Sequence, residues 1–157
     1  VAVTGLQLAC ATAAAVNGGN YYTPHLLKSV VLPNGKTENF EPILKSKPIS
    51  AQASSVLAEM LEGVVKEGSG KKAYIEGYKV GGKTGTAQKY EDGKIASGKY
   101  ISSFIGFFPA DKPQYLALII VDEPQGTYYG SAVAAPVAKE IFEDIISIKN
   151  IRPYEQE

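Results

Sequence analysis

Two apolar runs lie close together in the second half of the chain: Tyr100 to Phe108, and Gln114 to Val121. Both read as strands, and a short loop around Ala110-Asp111-Lys112-Pro113 joins them. A connection that short closes an antiparallel hairpin, whereas a parallel crossover needs roughly a dozen residues or more. This feature points the chain towards an antiparallel sheet.

The other elements fit around that hairpin. Thr4 to Val16 reads as a helix: Thr4 is a fitting N-cap, Gln7 completes a capping box, and Asn17-Gly18-Gly19 stops it. Its alanines favour close packing, so it is expected to be buried. Leu26 to Leu32 is a β-like run, and Pro33-Asn34-Gly35 is a turn. The segment "EPILKSKPIS" reads as a proline-bounded connector. Ser50 caps a second helix, Ala51 to Glu67, with an apolar stripe of Val56, Leu57, Met60, Leu61, Val64 and Val65. Tyr78 to Thr86 reads as one strand. A third helix starts near Pro136 with Val137, Ile141, Ile145 and Ile148 on one stripe. Helices and strands do not alternate strictly. The expected fold is therefore α+β, an antiparallel sheet with helices packed on its faces.

Composition removes several function classes. Sixteen basic residues balance sixteen acidic ones among 157, so no global field favours nucleic acid or an anionic membrane. The longest purely apolar run, Leu116 to Val121, is far below the roughly 20 residues a spanning helix needs. A lone cysteine, Cys10, excludes an intramolecular disulfide and a multi-cysteine metal site, and is expected in the core. The single His25 lacks a serine-centred elbow and reads as structural. Neither a metal nor a cofactor is expected. Val1 falls in what reads as a loop before a helix, which suggests a piece of a longer protein.

One stretch carries chemistry, "GYKVGGKTGTAQ". From Gly77 to Thr84 it matches G-x-x-x-x-G-K-T, the phosphate-cradling P-loop pattern, and "LALIIVDE" resembles a strand ending in a magnesium-holding Asp122. A P-loop needs a helix starting at its Lys-Thr, so that backbone N–H groups face the phosphates. Here "GTAQKYEDGKIASG" follows, broken by glycines and without a helical stripe. The second pattern is K-T-G-T from Lys83 to Thr86, on a strand that keeps going. Lys83 supplies a positive charge for a carboxylate or a proton shuttle. Thr84 and Thr86 supply hydroxyl donors. Gly85 lets a substrate peptide lie against the backbone. Strict alternation sends Lys83 and Gly85 to one face, Thr84 and Thr86 to the other. A site must therefore collect them at the strand edge.

The surroundings of that tetrad carry a resemblance. "VTGLQLACATAAAVNGG" with "YTPHLLK", then "VGGKTGTAQ", "SSFIGFFPADKPQYLALIIVDEP" and "YYGSAVAAPVAKEIFEDI" occur in the order of the C-terminal part of a penicillin-binding protein transpeptidase domain. The chain resembles the monofunctional, class B kind, in a stage V sporulation protein D-like or division-type version. The resemblance covers nearly all of residues 1–157 as one incomplete domain. It implies serine acyl transfer on the D-Ala-D-Ala end of a peptidoglycan stem peptide, with β-lactams as mimics. It implies catalytic roles for Lys83 and Thr86, and substrate or β-lactam binding by Lys83, Thr84, Gly85 and Thr86. It implies partners in the missing N-terminal part of the domain and in cell-wall synthesis proteins, and a place on the extracytoplasmic face of the membrane.

The family's other two motifs are missing. No S-x-N occurs, and the single S-x-x-K, Ser69 to Lys72, lies in a glycine-rich turn fourteen residues before Lys83. Ser69 reads as a turn residue, so the nucleophile is absent and the chain alone is expected to be inactive. Two other readings stay open: a nucleotide-binding module on Gly77–Thr84, and a non-catalytic scaffold that kept the fold.

Overall fold

The computed structural model describes residues 2–154. The loop expected at Val1 lies outside them. Helix α1 (Gly5–Val16) starts with the anticipated capping box: Gln7 N–H donates to the Thr4 hydroxyl at 3.2 Å, and Thr4 N–H donates to Gln7 Oε1 at 2.9 Å. It is less buried than its alanines suggested. Only Ala14 and Val16 are fully covered, and Cys10 is half-buried, not in the core. One flank of α1 has no partner among the described residues, and Leu6 projects from it into solvent.

Four short strands follow: β1 (Tyr21–Tyr22), β2 (Ser29–Val31), β3 (Thr37–Asn39) and β4 (Leu44–Ser46). Strands β2 and β3 form the expected hairpin, closed by Gly35 N–H donating to the Leu32 carbonyl at 2.8 Å. Strand β2 is shorter than the β-like run Leu26 to Leu32. The expected connector at 41–50 contains β4, which pairs antiparallel with β1. Such pairs leave no periodic trace in sequence, because each strand is only two or three residues long.

Helix α2 (Ala51–Lys66) is capped by Ser50, whose hydroxyl accepts from Ala53 N–H at 3.1 Å. Its fully buried residues are Ser54, Ala58 and Val65, with Leu57, Leu61 and Val64 half-buried, so the expected stripe is corrected at Val56 and Met60. Val56 and Met60 lie on the outside, Met60 with 65% of its surface exposed. Small Ala58 lets the helix approach the sheet. Ser54 tolerates burial because its hydroxyl accepts from Gly18 N–H at 2.9 Å.

A single turn of 3-10 helix (Lys71–Ala73) leads to the main sheet: β5 (Gly81–Glu91), β6 (Lys94–Phe108) and β7 (Tyr115–Asp122), antiparallel in the order β5-β6-β7. Strand β5 begins three residues later than Tyr78, which is instead bridged to Ile75. It also runs further, to a two-residue turn at Asp92-Gly93. Both turn residues have positive φ, 49° and 77°, as a tight hairpin with matching twist requires. Strand β6 therefore begins at Lys94, not Tyr100.

Helices α3 (Gly130–Val133) and α4 (Ala135–Lys149) end the fold, with Pro136 in the first turn of α4 as expected. The buried face of α4 is Ala135, Ala138 and Phe142. Val137, Ile141 and Ile148 from the expected stripe are exposed, Ile148 to 75%. Two alanines allow close approach, and Phe142 then fills the gap beside Phe108, ring centroids 6.0 Å apart. The sheet is thus covered on both sides. Phe104 and Phe108 point to the α4 side with Val65, Ile75 and Val80. Phe107 points to the other side, onto Val16 and Ala58. This is the expected α+β arrangement.

Candidate active site

Strand β5 is an edge strand, and its start is pressed into the core. A Cβ on Gly82 would stand 2.5 Å from Phe104 Cζ and 2.7 Å from the Ile105 carbonyl oxygen. From that buried start the strand emerges at Lys83 to Thr86, with Lys83 and Thr86 exposed and Thr84 and Gly85 half-buried. The register pairs Lys83 with Ile105, Thr84 with Phe104, Gly85 with Ser103, and Thr86 with Ser102. Thr84 and Thr86 therefore share the α4 face, and Lys83 and Gly85 share the other. The Lys83 ammonium donates back to the Thr84 carbonyl at 3.2 Å.

Each threonine hydroxyl has a protein partner. The Thr84 and Ser69 hydroxyls are hydrogen-bonded at 3.1 Å. The Thr86 hydroxyl accepts from Gly130 N–H at 3.2 Å. Gly130 is held there by contact, since a Cβ on it would collide with the carbonyl oxygens of Ser103 and Gly85. The preceding segment is fixed as well. The fully buried Ser102 hydroxyl donates to the Tyr128 carbonyl, and Tyr128 stacks on Tyr100 with centroids 4.0 Å apart. A hydrogen bond with the Tyr129 side chain, then the neighbouring Tyr129 and Tyr100 phenols, hold the Tyr128 phenol above the usual tyrosine range. It is neutral at physiological pH.

Charge is sorted along the sheet. Lys89 donates to both Asp122 carboxylate oxygens, at 3.0 and 2.9 Å, and to Glu123 at 2.7 Å. Those bonds, Glu123 first, raise its pKa well above the ordinary lysine value. Lys99 is tied to Glu91 at 2.6 Å. Among the described residues no carboxylate pairs with Lys83, so its charge is available to a ligand. Asp122 is thus an ion-pair partner of Lys89, and no helix begins at Lys83 to form a phosphate cradle.

The four predicted residues Lys83 to Thr86 lie on the edge strand β5, the two threonines on its α4 face and Lys83 and Gly85 on the other. His25 does not join them. It is exposed and hydrogen-bonds the Leu27 carbonyl at 2.9 Å. Ser69 lies in its expected turn, yet touches the tetrad, which no sequence signal announced. Ser102, Tyr128 and Gly130 were missed, because only the β6 register and the β7–α3 connection bring them in. The site is an open edge rather than a pocket. A cleft of about 790 Å³ lies between α2, the end of α1 and the Ala110–Pro113 turn, and none of Lys83 to Thr86 lines it.

Residues 1–143 match the family model of the penicillin-binding protein transpeptidase domain. The chain is 45% identical over 156 residues to stage V sporulation protein D of Bacillus subtilis, covering 98% of this chain and 24% of that protein. It is 34% identical to a peptidoglycan D,D-transpeptidase FtsI homolog of Mesostigma viride, covering 98% of this chain and 28% of that protein. The chain therefore spans about a quarter of the length of these relatives. Penicillin-binding protein 3 of Mycobacterium tuberculosis, solved in complex with ampicillin, superposes with a TM-score of 0.85 at 28% identity, over 98% of this chain and 36% of that one. The same protein in complex with aztreonam gives a TM-score of 0.83 at 29% identity, over 98% of this chain and 37% of that one.

Proposed function

The chain belongs to the penicillin-binding protein transpeptidase family, and from that membership we propose that it forms the substrate- and β-lactam-binding wall of a peptidoglycan D,D-transpeptidase site. The serine nucleophile belongs to a part of the protein outside this chain. The observation that supports the reading is the edge of β5, which carries an ammonium with no carboxylate partner among the described residues and two hydroxyls held by Ser69 and Gly130.

In this reading the serine oxygen attacks the carbonyl carbon of the D-Ala-D-Ala amide. The carbonyl oxygen becomes an oxyanion, received by the Thr86 N–H and by the nucleophile's own N–H. Losing one such donor costs about 3–4 kcal/mol of transition-state stabilisation. The C–N bond breaks, the departing D-alanine amine takes up the serine's proton, and an ester is left. An amine of a second stem then attacks the ester, and the serine oxygen recovers a proton. Lys83 attracts the terminal carboxylate and takes part in the proton network. Thr84 and Thr86 donate hydrogen bonds to that carboxylate. The Gly85 backbone lets the donor peptide run beside β5 as an added strand.

A β-lactam with its ring carboxylate presents the same groups, and its amide ring opens onto the serine. The same reading places the protein on the extracytoplasmic face of the membrane, working with other cell-wall synthesis proteins. No helix among the described residues is long and apolar enough to cross a membrane.

The test is fluorescent penicillin labelling. The full-length protein should label covalently and lose labelling on Lys83→Ala. The isolated chain should not label. A covalent adduct on the isolated chain overturns the missing nucleophile. A full-length protein that binds stem peptide without acylating favours a non-catalytic scaffold. ATP binding in the micromolar range that is lost on Lys83→Ala favours a nucleotide module instead.

A further inference from the structure

Ser69 is delivered to the site by a turn built to hold still. Gly68 N–H and Gly70 N–H both donate to the Val64 carbonyl at the end of α2, at 3.1 and 2.9 Å. Gly68 has no room for a side chain, and Gly70 has little. A Cβ would stand 2.9 Å from the Val64 carbonyl oxygen at Gly68, and 3.2 Å from it at Gly70. The serine between them is therefore bolted to α2, with its hydroxyl 3.1 Å from that of Thr84.

Each hydroxyl carries one proton and two lone pairs. A carboxylate accepts only, so it must receive the Thr84 proton, and Thr84 must then accept from Ser69. The second threonine is already polarised in this sense. Gly130 N–H is an obligate donor to Thr86 Oγ, which leaves the Thr86 proton for a ligand. We infer that Ser69 is a positioning residue that sets the direction of the Thr84 hydroxyl, so that both threonines of β5 act as donors and select ligands bearing a free carboxylate. A chain of aligned hydroxyls also polarises each bond along it. The inference rests on the proposed function above and adds to it the origin of anion selectivity.

The experiment measures the second-order acylation rate of the full-length protein with a penicillin carrying its free carboxylate, and with the methyl ester of the same penicillin. The ratio of the two rates is the readout. Ser69→Ala should lower the carboxylate rate about tenfold, the size expected for one hydrogen bond to a charged group, and leave the ester rate unchanged. Ser69→Thr should restore the ratio. If Ser69→Ala fails to fold, the isosteric pair Ser69→Thr and Ser69→Val isolates the hydroxyl. Equal loss of both rates shows a packing role and overturns the inference, as does an unchanged ratio. A wild-type protein that prefers the acid, beside a Ser69→Ala variant that keeps the preference, sinks the inference alone. A wild-type protein that acylates with neither compound sinks the proposed function and the inference with it.

Discussion

Glycines 82 and 85 lie three residues apart on β5 and should fail in opposite ways when changed to alanine. At Gly82 the new methyl meets the buried ring of Phe104 at 2.5 Å and the Ile105 carbonyl oxygen at 2.7 Å. The ring is locked in the core and the carbonyl is part of the β6 backbone, so neither can retreat. Overpacking of this kind costs about 1–3 kcal/mol, offset by roughly 0.4–1 kcal/mol from the stiffer unfolded chain. The net loss of about 1–2 kcal/mol corresponds to a fall of about 2–8 °C in melting temperature for a domain of this size or larger. At Gly85 the methyl meets only the Ser103 hydroxyl, at 2.5 Å, with Ser103 Cβ at a comfortable 3.8 Å. Rotation about one side-chain bond relieves that contact. The stiffer unfolded chain should raise the melting temperature by about 1–4 °C, while the methyl enters the face that Lys83 occupies. Displacing the donor peptide by about 1 Å there should slow acylation about a hundredfold. Thermal unfolding and penicillin acylation of the two full-length variants decide the matter. Equal melting temperatures, or a Gly85→Ala variant with normal acylation, would refute the division of labour.

Other outcomes follow from the same geometry. Ser102→Ala removes the donor to the Tyr128 carbonyl, should destabilise by about 1–3 kcal/mol in chemical denaturation, and should slow acylation by loosening Gly130 from Thr86. Lys89→Met should lower the melting temperature by an amount that shrinks in 1 M salt. Because the Lys89 pKa is raised in the folded state, its contribution is complete below the ordinary lysine pKa and is lost only as pH climbs through the raised one. The wild-type advantage should therefore be constant between about pH 7 and 9. The isolated chain should self-associate through exposed Val56 and Met60, and the double change Val56→Asp, Met60→Asp should reduce its sedimentation coefficient at high concentration.

Local signals were legible wherever a residue acts on its immediate neighbours. Thr4 with Gln7, Ser50, the Asn34-Gly35 turn and the Ala110–Pro113 loop could all be placed from sequence, as could the Lys83–Thr86 tetrad. Helix faces were harder. In α2 and α4 the aliphatic stripes placed Val65, Leu61 and Ile145 inward but also Val56, Met60, Val137 and Ile148, which are exposed, while the alanines and Ser54 mark the most buried positions. Close approach favours small residues, and an apolar count rewards large ones. The Asp92-Gly93 hairpin was legible in principle, since an Asp-Gly pair between extended runs is the strongest short signal of a tight turn. The contacts of Ser69 with Thr84, and of Gly130 with Thr86, were not legible. They join residues 15 and 44 positions apart through the sheet register.

Strand β5 has one more consequence. Its eleven residues, "GGKTGTAQKYE", include three glycines and no valine, isoleucine or phenylalanine. Its glycines weaken it as a strand, and it is held extended by β6, which is rich in isoleucine and phenylalanine. Its free edge must stay uncovered to be useful, and an uncovered edge invites the same strand of another molecule. The charge of Lys83 and the lack of branched aliphatic side chains make that exchange unfavourable. The residues that would capture a peptide also keep copies of the protein from recruiting one another into fibres, so a change that made β5 a better strand would make the protein a worse neighbour.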